Sequence, residues 1–401
     1  MDARTLRVLI FSEFLYPHGG GAELATSLYS NLLAEKGLDV TIVTRMFPGE
    51  SQMESPNRRT LVYRIPMKAI TGSRYDTLAN AGILASTYVR KLIAETDLVY
   101  LPAGWYDVSP MARLYKKPIV VHLHNYSIVC PTSLMYDYIR QEPVPSSRKS
   151  FILHEVVEKK RGPFAVAASS FLNETIGRHY SGLGTLADAL IFVSNEQLDL
   201  VVSRIPHVRK KSHLIYNPIP NHQLVEAERK GVGYFGGTSF TKGFHVLMRA
   251  LRSLREGNIR AYVTMVPGER KTLRLDNGVL ANFLPKIDPV SIMRDLAIVV
   301  VPSLSPEPSP YILVESMLTG KLIVASGIGG IPEITGGSSK GVGLVAPGSQ
   351  EEILEALDRF LALSMNEINE IGMNNRDIIL QRFSNEESVQ SLLRVFTEVA
   401  S

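Results

Sequence analysis

Short apolar runs alternate with amphipathic stretches along the 401-residue chain, and this alternation limits the fold more than any other feature. In the first half, residues 8–11, 40–44, 98–101, 119–122 and 190–193 read as strands, too short and too apolar for surface helices. The second half begins the pattern again with Gly233-Tyr-Phe-Gly-Gly, then segments 260–265, 280–284, 298–301 and 322–325. Strands joined through helices pair in parallel, because a helical crossover returns the chain to the same end of the sheet. Two such series in a chain of this length predict an α/β protein of two doubly wound domains. The boundary is expected near Asn217-Pro-Ile-Pro, where two prolines block regular structure, giving domains over 1–218 and 219–382. Residues 383–400 read as a final helix. No fixed-period repeat or low-complexity tract is visible.

Composition narrows the function classes. Hydrophobic residues make up 45% and charged residues 20% of the chain, an ordinary globular balance. The single cysteine, Cys130, excludes an internal disulfide and fits a reducing compartment. The apolar run before Ser12 is too short for a secretory leader, and no later stretch reaches membrane-spanning length. The expected location is cytoplasmic, either free or peripheral on the inner membrane face. Net charge is only +4, but basic residues cluster. Arg148, Lys149, Lys159, Lys160 and Arg161 flank Phe151-Ile-Leu, and Arg204, Arg209, Lys210 and Lys211 form a second group. These are either solvated faces or surfaces for anionic lipid headgroups or a phosphorylated acceptor. Nucleic acid is not expected as a partner, since no nucleic-acid-binding motif accompanies the charges.

Two glutamates eight residues apart, Glu307 and Glu315, carry most of the functional information. Pro302, Pro306, Pro308 and Pro310 follow the apolar strand 298–301 and forbid regular structure, so Glu307 is expected on a stiff loop at a strand's C-terminal end. Tyr311–Leu318 has helical spacing and Gly320 as a stop, which puts Glu315 early in the following helix. A carboxylate at a strand end, a helix N-terminus and a second carboxylate can line one side of a ligand crevice. The helix N-terminus suits a phosphate, and Glu315 suits ribose hydroxyls.

Three other constellations matter. After the first strand, Tyr16-Pro-His-Gly-Gly-Gly-Ala-Glu leads into a helix, where glycines allow backbone N–H groups to approach an anion or a sugar; a flexible turn is the plainer reading. Lys242 follows a strand and loop in Tyr234-Phe-Gly-Gly-Thr-Ser-Phe-Thr-Lys-Gly, a suitable point charge for a departing diphosphate. His122 and His124 end the strand 119–122. Histidines in such positions are commonly structural, and no third ligand at sensible spacing makes them a metal site.

Together these motifs resemble the retaining, nucleotide-sugar-dependent glycosyltransferases of the GT-B fold, the group 1 or family-four class. The resemblance lies in E-x7-E followed by G-K-x-x-x-A-S-x-x-G-G-I-P-E-I. It implies two facing Rossmann-like domains with a deep interdomain cleft, the acceptor mainly on the first domain and the donor on the second. It also implies that the last helix, 383–401, crosses back to the first domain. Residues 131–162, the least regular part of the chain, polar and basic, are themselves a candidate mobile acceptor-side loop. Gly20, Gly21 and Glu23 match the family's Gly-Gly-x-E beside the donor diphosphate. His124-Asn-Tyr-Ser-Ile-Val-Cys-Pro resembles H-D-Y-x-x-x-C-P, which implies that His124 lies near the transferred sugar and leaves His122 structural. The implied catalytic residues are Glu307, His124 and Lys242. The implied donor-binding set is Gly20, Gly21, Gly237, Thr238, Lys242, Ser309, Pro310, Tyr311, Ile312 and Glu315.

Two departures stand out. Gly237 occupies the arginine position of the family's G-R-x-x-x-x-K-G, so half of a cationic clamp is absent, and an arginine restored there is expected to strengthen it. Glu307-Pro-Ser-Pro replaces E-P-F-G, and Pro310 removes a backbone N–H from the donor side. The expected reaction transfers a hexose-type sugar from a UDP- or GDP-linked donor to a lipid-linked or glycan hydroxyl, in glycolipid, glycoprotein or polysaccharide assembly. No D-x-D occurs, so neither metal nor cofactor is expected. The alternatives are a non-catalytic glycosyltransferase-like partner subunit, a nucleotide-sugar epimerase of the same fold, and a glycoside hydrolase using both carboxylates.

Overall fold

The computed structural model describes residues 5–401 apart from 69–80, 85, 103, 131–132, 134, 160, 256–258 and 266–269. Lys160 of the first basic cluster and Pro131 of the His124 motif lie outside the described residues. The chain divides into two compact units.

The first unit comprises Met1–Ser133, Ala168–Pro218 and Ser384–Ser401. Among the described residues it is built on β1 (Arg7–Phe11), β2 (Asp39–Arg45), β3 (Met53–Asn57), β4 (Thr60–Ile65), β5 (Leu98–Leu101), β6 (Ile119–Leu123), β7 (Ala189–Phe192) and β8 (Ser212–Leu214). They form one sheet in the order β3-β4-β2-β1-β5-β6-β7-β8, parallel throughout except for β3 against β4. Side chains alternate across the sheet, so β1 feeds two cores. Val8 and Ile10 pack with Tyr29 and Leu33 of the helix Gly21–Glu35 and with Leu392 and Phe396 of the helix Asn385–Ala400. Leu9 and Phe11 pack on the other face with Val99, Leu101, Val121 and Phe192. The C-terminal helix is thus part of this core. Phe396 is fully buried edge-on to Tyr100 at 5.3 Å, and burying such a ring contributes about 1.5–3 kcal/mol. The Tyr29 and Ser388 hydroxyls both donate to the Tyr216 carbonyl, tying both helices to the end of the unit's second segment.

The second unit comprises Leu134–Ala167 and Ile219–Phe383. Its strands are β9 (Gly231–Tyr234), β10 (Arg260–Thr264), β11 (Lys271–Arg274), β12 (Leu280–Leu284), β13 (Leu296–Val301), β14 (Leu322–Ser326) and β15 (Val342–Val345), in the order β11-β12-β10-β9-β13-β14-β15. Among the described residues only β11 runs antiparallel to its neighbour. Every residue of β13 is buried, as expected for a central parallel strand covered on both faces. The order reverses between β9 and β13, which makes their C-terminal ends the switch point of the sheet.

The structure adds strands β3, β4, β8, β11 and β15 to those expected. β3 (Met-Glu-Ser-Pro-Asn) and β11 (Lys-Thr-Leu-Arg) are exposed edge strands that lack an apolar run, and Gly343 divides β15. Within residues 135–159 the chain is also more regular than expected, because Arg148–Val157 is a helix. Ser147 starts it by accepting the Ser150 N–H at 3.3 Å. Polar Ser150 and Glu155 on its buried face conceal the helical periodicity.

Candidate active site

Two loops leave the switch point of the second unit, residues 235–243 after β9 and 302–310 after β13. They are bound to each other. The Leu304 N–H donates to the Thr241 carbonyl at 2.8 Å. Gly243, at φ +75°, lies so close to β13 that a Cβ there would meet the Pro302 oxygen at 1.9 Å. This close approach, open only to glycine, brings Lys242 to Glu307. The Lys242 ammonium donates to Glu307 Oε2 at 2.5 Å, and the buried Ser303 hydroxyl donates to Oε1.

The glycines of Gly-Gly-Ile-Pro-Glu-Ile have a physical reason in this arrangement. Gly330 N–H donates to the Glu307 carbonyl at 2.8 Å. Gly329 sits at φ +63°, and a Cβ on it would fall 2.5 Å from the backbone N and O of Glu307. Glu307 is therefore fixed at its backbone by Gly329 and Gly330 and at its side chain by Lys242 and Ser303. The pair is not a strong lock: the Lys242 side chain is 41% exposed, and ion pairs of that kind contribute about 0.2–1 kcal/mol.

The helix Tyr311–Leu318 begins at Pro310, with no side chain capping its N-terminus, and ends before Gly320 at φ +75°. Ser309 and Ile312 are half-buried at this end, and Pro310 and Tyr311 are buried. Glu315 lies in the middle of the helix, and its side chain is only 13% exposed. His222 Nε2 is 3.6 Å from Glu315 Oε1, near but beyond hydrogen-bonding distance. His222 is held through its carbonyl, which accepts from Arg376 at 2.8 Å.

Gly237 is buried and its N–H donates weakly to Thr264 Oγ1 at 3.4 Å, whereas Thr238 is exposed. Gly237 has φ +67°. An L side chain in this region carries about 1–2 kcal/mol of strain, so an arginine introduced there does not simply complete the clamp. Any gain from an arginine at this position is set against that strain.

In the first unit, Gly20 and Gly21 are exposed at the start of the helix Gly21–Glu35. Glu23 folds back so that its Oε2 accepts the Gly20 N–H at 2.7 Å, which puts a carboxylate on the helix N-terminus. Gly19, at φ +89°, makes room for it, since a Cβ there would meet the Glu23 side chain at 2.5 Å. His122 and His124 stack with centroids 4.4 Å apart at the end of β6. His122 is buried and its Nδ1 is 2.6 Å from the Tyr100 hydroxyl. Burial holds the His122 pKa well below the ordinary value, with the neighbouring ring adding to the effect, and burial lowers that of His124 to about 4. Both imidazoles are therefore neutral near pH 7, and a neutral His124 can accept or donate one hydrogen bond.

The structure thus joins Lys242 to Glu307 and sets Gly237, Thr238, Ser309, Pro310, Tyr311, Ile312 and Glu315 on elements of the same unit, while Gly20, Gly21 and His124 belong to the other. Sequence reasoning does not single out Ser303, His222 or the backbone contacts of Gly329 and Gly330. Ser303 had one available signal, its place four residues before Glu307 on a loop stiffened by proline.

Residues 19–223 match the family described as "Glycosyltransferase Family 4", and residues 229–362 match "Glycosyl transferases group 1". The chain is 22% identical over 343 residues to the "Uncharacterized 42.6 kDa protein in cps region" of Klebsiella pneumoniae, covering 82% of this chain and 87% of that protein. Among solved structures it is similar to sucrose-phosphate synthase from Thermosynechococcus elongatus, with a TM-score of 0.66 at 16% identity over 98% of each chain. It is likewise similar to Anabaena HepE in complex with UDP-glucose, with a TM-score of 0.66 at 18% identity over 98% of this chain and 100% of that one. These likenesses, with the two parallel-dominated sheets, establish a two-domain GT-B fold.

Proposed function

This chain belongs to the group 1, family-four glycosyltransferases, and from that membership we propose that it moves a hexose-type sugar from a UDP- or GDP-linked donor to a hydroxyl acceptor with retention of anomeric configuration. The observation that carries the proposal is the Lys242–Glu307 pair, braced by Ser303, at the switch point of the second unit's sheet. Transfer from a nucleotide sugar poses two electrostatic problems, negative charge on the leaving diphosphate and positive charge on the sugar ring. In our reading Lys242 and the uncapped helix N-terminus at Pro310 answer the first. Glu307 answers the second, and His124 contacts the transferred sugar. Gly237, Thr238, Ser309, Pro310, Tyr311 and Ile312 of the second unit are assigned to the donor, and Gly20 and Gly21 of the first unit to its diphosphate. The UDP-glucose held by HepE supports a uridine nucleotide as the first donor to try. A thermal-shift screen with UDP, GDP and ADP sugars tests this directly, since a ligand of the native state raises the melting temperature by mass action. Release of nucleoside diphosphate then tests transfer. A protein that neither shifts nor releases nucleotide with any donor fits the partner-subunit alternative instead.

Glu315 is assigned to the ribose hydroxyls, because its carboxylate is mostly buried yet has only a distant histidine beside it among the described residues. Glu315→Ala is expected to weaken nucleotide binding by about 1.5–3 kcal/mol, the loss of charge-assisted hydrogen bonds, with less effect on turnover of bound donor. Titration calorimetry with the nucleoside diphosphate checks it. An unchanged dissociation constant removes Glu315 from the donor site.

For the acceptor we infer a lipid-linked or glycan hydroxyl at an anionic membrane surface. Val157 and Phe164 are 65% and 94% exposed, close in sequence to exposed Lys149 and Lys159. Apolar side chains flanked by lysines fit an anionic bilayer interface. Flotation with vesicles containing phosphatidylglycerol is expected to carry the protein, and Val157→Ser/Phe164→Ser to release it. Equal recovery of both proteins from the bottom fraction counts against the surface.

A further inference from the structure

The loop that carries Lys242 contains Gly236, Gly237 and Gly243 within nine residues, so its own backbone restrains it little. Its links to Pro302 and Leu304 hold only the end beyond Phe240. Ahead of that end, Gly237 makes a weak bond to Thr264 Oγ1, and Phe240 is held by a different part of the chain. Glu158, directly after the helix Arg148–Val157, accepts the Phe240 N–H on Oε1 at 2.9 Å. Its Oε2 accepts the Tyr138 hydroxyl at 2.5 Å and lies 3.1 Å from His154 Nδ1. The Phe240 ring stacks on His245 at 4.1 Å and meets Tyr138 at 5.1 Å and Tyr136 at 5.9 Å. The segment supplying these groups is itself pinned, because Asp137 accepts the N–H groups of Ile139, Arg140 and Ser147 at 2.9–3.0 Å.

We propose that Glu158 is a positioning residue for sugar transfer: by holding the Phe240 amide it fixes the loop that presents Lys242, two residues on, to the donor diphosphate. The inference rests on the role given above to Lys242. Burial alone favours the neutral acid, but hydrogen bonds from His154, Ser239, Tyr138 and the Phe240 amide outweigh it and hold the Glu158 carboxyl at a pKa of about 2. It is therefore an acceptor throughout the working pH range. A lysine that must meet developing charge acts through preorganisation, and displacement of a reacting group by about 1 Å lowers the rate by about a hundredfold.

The test compares Glu158→Ala with Glu158→Gln, whose amide oxygen can still accept the Phe240 N–H. Alanine is expected to lower kcat about ten- to thirtyfold with a donor KM within about threefold, and glutamine to restore most of it. Hydrogen exchange at residues 235–243 is expected to quicken in the alanine variant only, with β13 unchanged. A normal kcat in folded Glu158→Ala overturns the proposal, and so does unaltered exchange at Phe240. A loss that tracks only a lower melting temperature overturns it as well. If the wild type releases no nucleotide, the functional reading fails. The exchange data then decide the clamp alone: quickening confined to 235–243 upholds it, and no change overturns it.

Discussion

Lys242→Ala is expected to lower kcat for sugar transfer about a thousandfold while the protein stays folded. Removing one preorganised donor from a developing oxyanion lowers rates by roughly a hundred- to a thousandfold, about 2.7–4 kcal/mol. The upper end is expected here, since position 237, where the family has arginine, is glycine. Stability should change little, because the lysine is partly exposed and its ion pair is weak. The contact with Glu307 complicates the single variant. With Lys242 gone, the Glu307 carboxylate faces the diphosphate uncompensated, and at a separation of about 4 Å in a partly solvated site that repulsion reaches about 4 kcal/mol. Loss of attraction and gain of repulsion are then of similar size. The double variant Lys242→Ala/Glu307→Gln separates them. If Lys242 acts on the leaving group, the double variant recovers nucleotide affinity but not turnover. Recovery of kcat to within tenfold of Glu307→Gln alone would show that the stranded carboxylate caused the defect, and Lys242 would lose its role.

The parallel strands at the centre of both sheets were legible because burial on both faces demands an unbroken apolar run, as in Leu296–Val301. Edge strands escape that demand. Met53–Asn57 is wholly exposed and contains a proline, so nothing in its sequence resembles a strand. The helix Tyr311–Leu318 was legible to its last residue through its spacing and Gly320. The helix Arg148–Val157 was not, because it buries serine and glutamate where a pattern reader expects apolar side chains. The same division applies to the candidate site. Glu307 and Lys242 stood out one at a time as charges on loops after strands. Their contact spans 65 positions and depends on the close approach of Gly243 to Pro302, a tertiary fact with no local signature. The Glu158 contact spans 82 positions and ends on a backbone amide, which carries no residue-specific signal at all.

Glu307→Gln should separate turnover from binding, with kcat falling about a hundredfold and nucleotide affinity unchanged or slightly tighter. The substitution keeps the side chain's shape. Ser303 can still donate to the amide oxygen, and the backbone remains fixed by Gly329 and Gly330, so the fold has no reason to shift. What disappears is the negative charge available to a cationic sugar ring, an interaction that strengthens only toward the transition state and therefore appears in kcat. The affinity expectation follows from the ion pair. In the wild type Lys242 must leave Glu307 before it can serve the diphosphate alone, at a cost of at most about 1 kcal/mol. Glutamine removes that competition, so nucleoside diphosphate should bind up to about fivefold more tightly. Calorimetry with the nucleoside diphosphate and steady-state kinetics with the donor sugar read the two effects independently. Normal turnover takes Glu307 out of the mechanism. Weakened nucleotide binding instead points to a carboxylate whose work is to orient Lys242 for the diphosphate, with no part in stabilising the sugar.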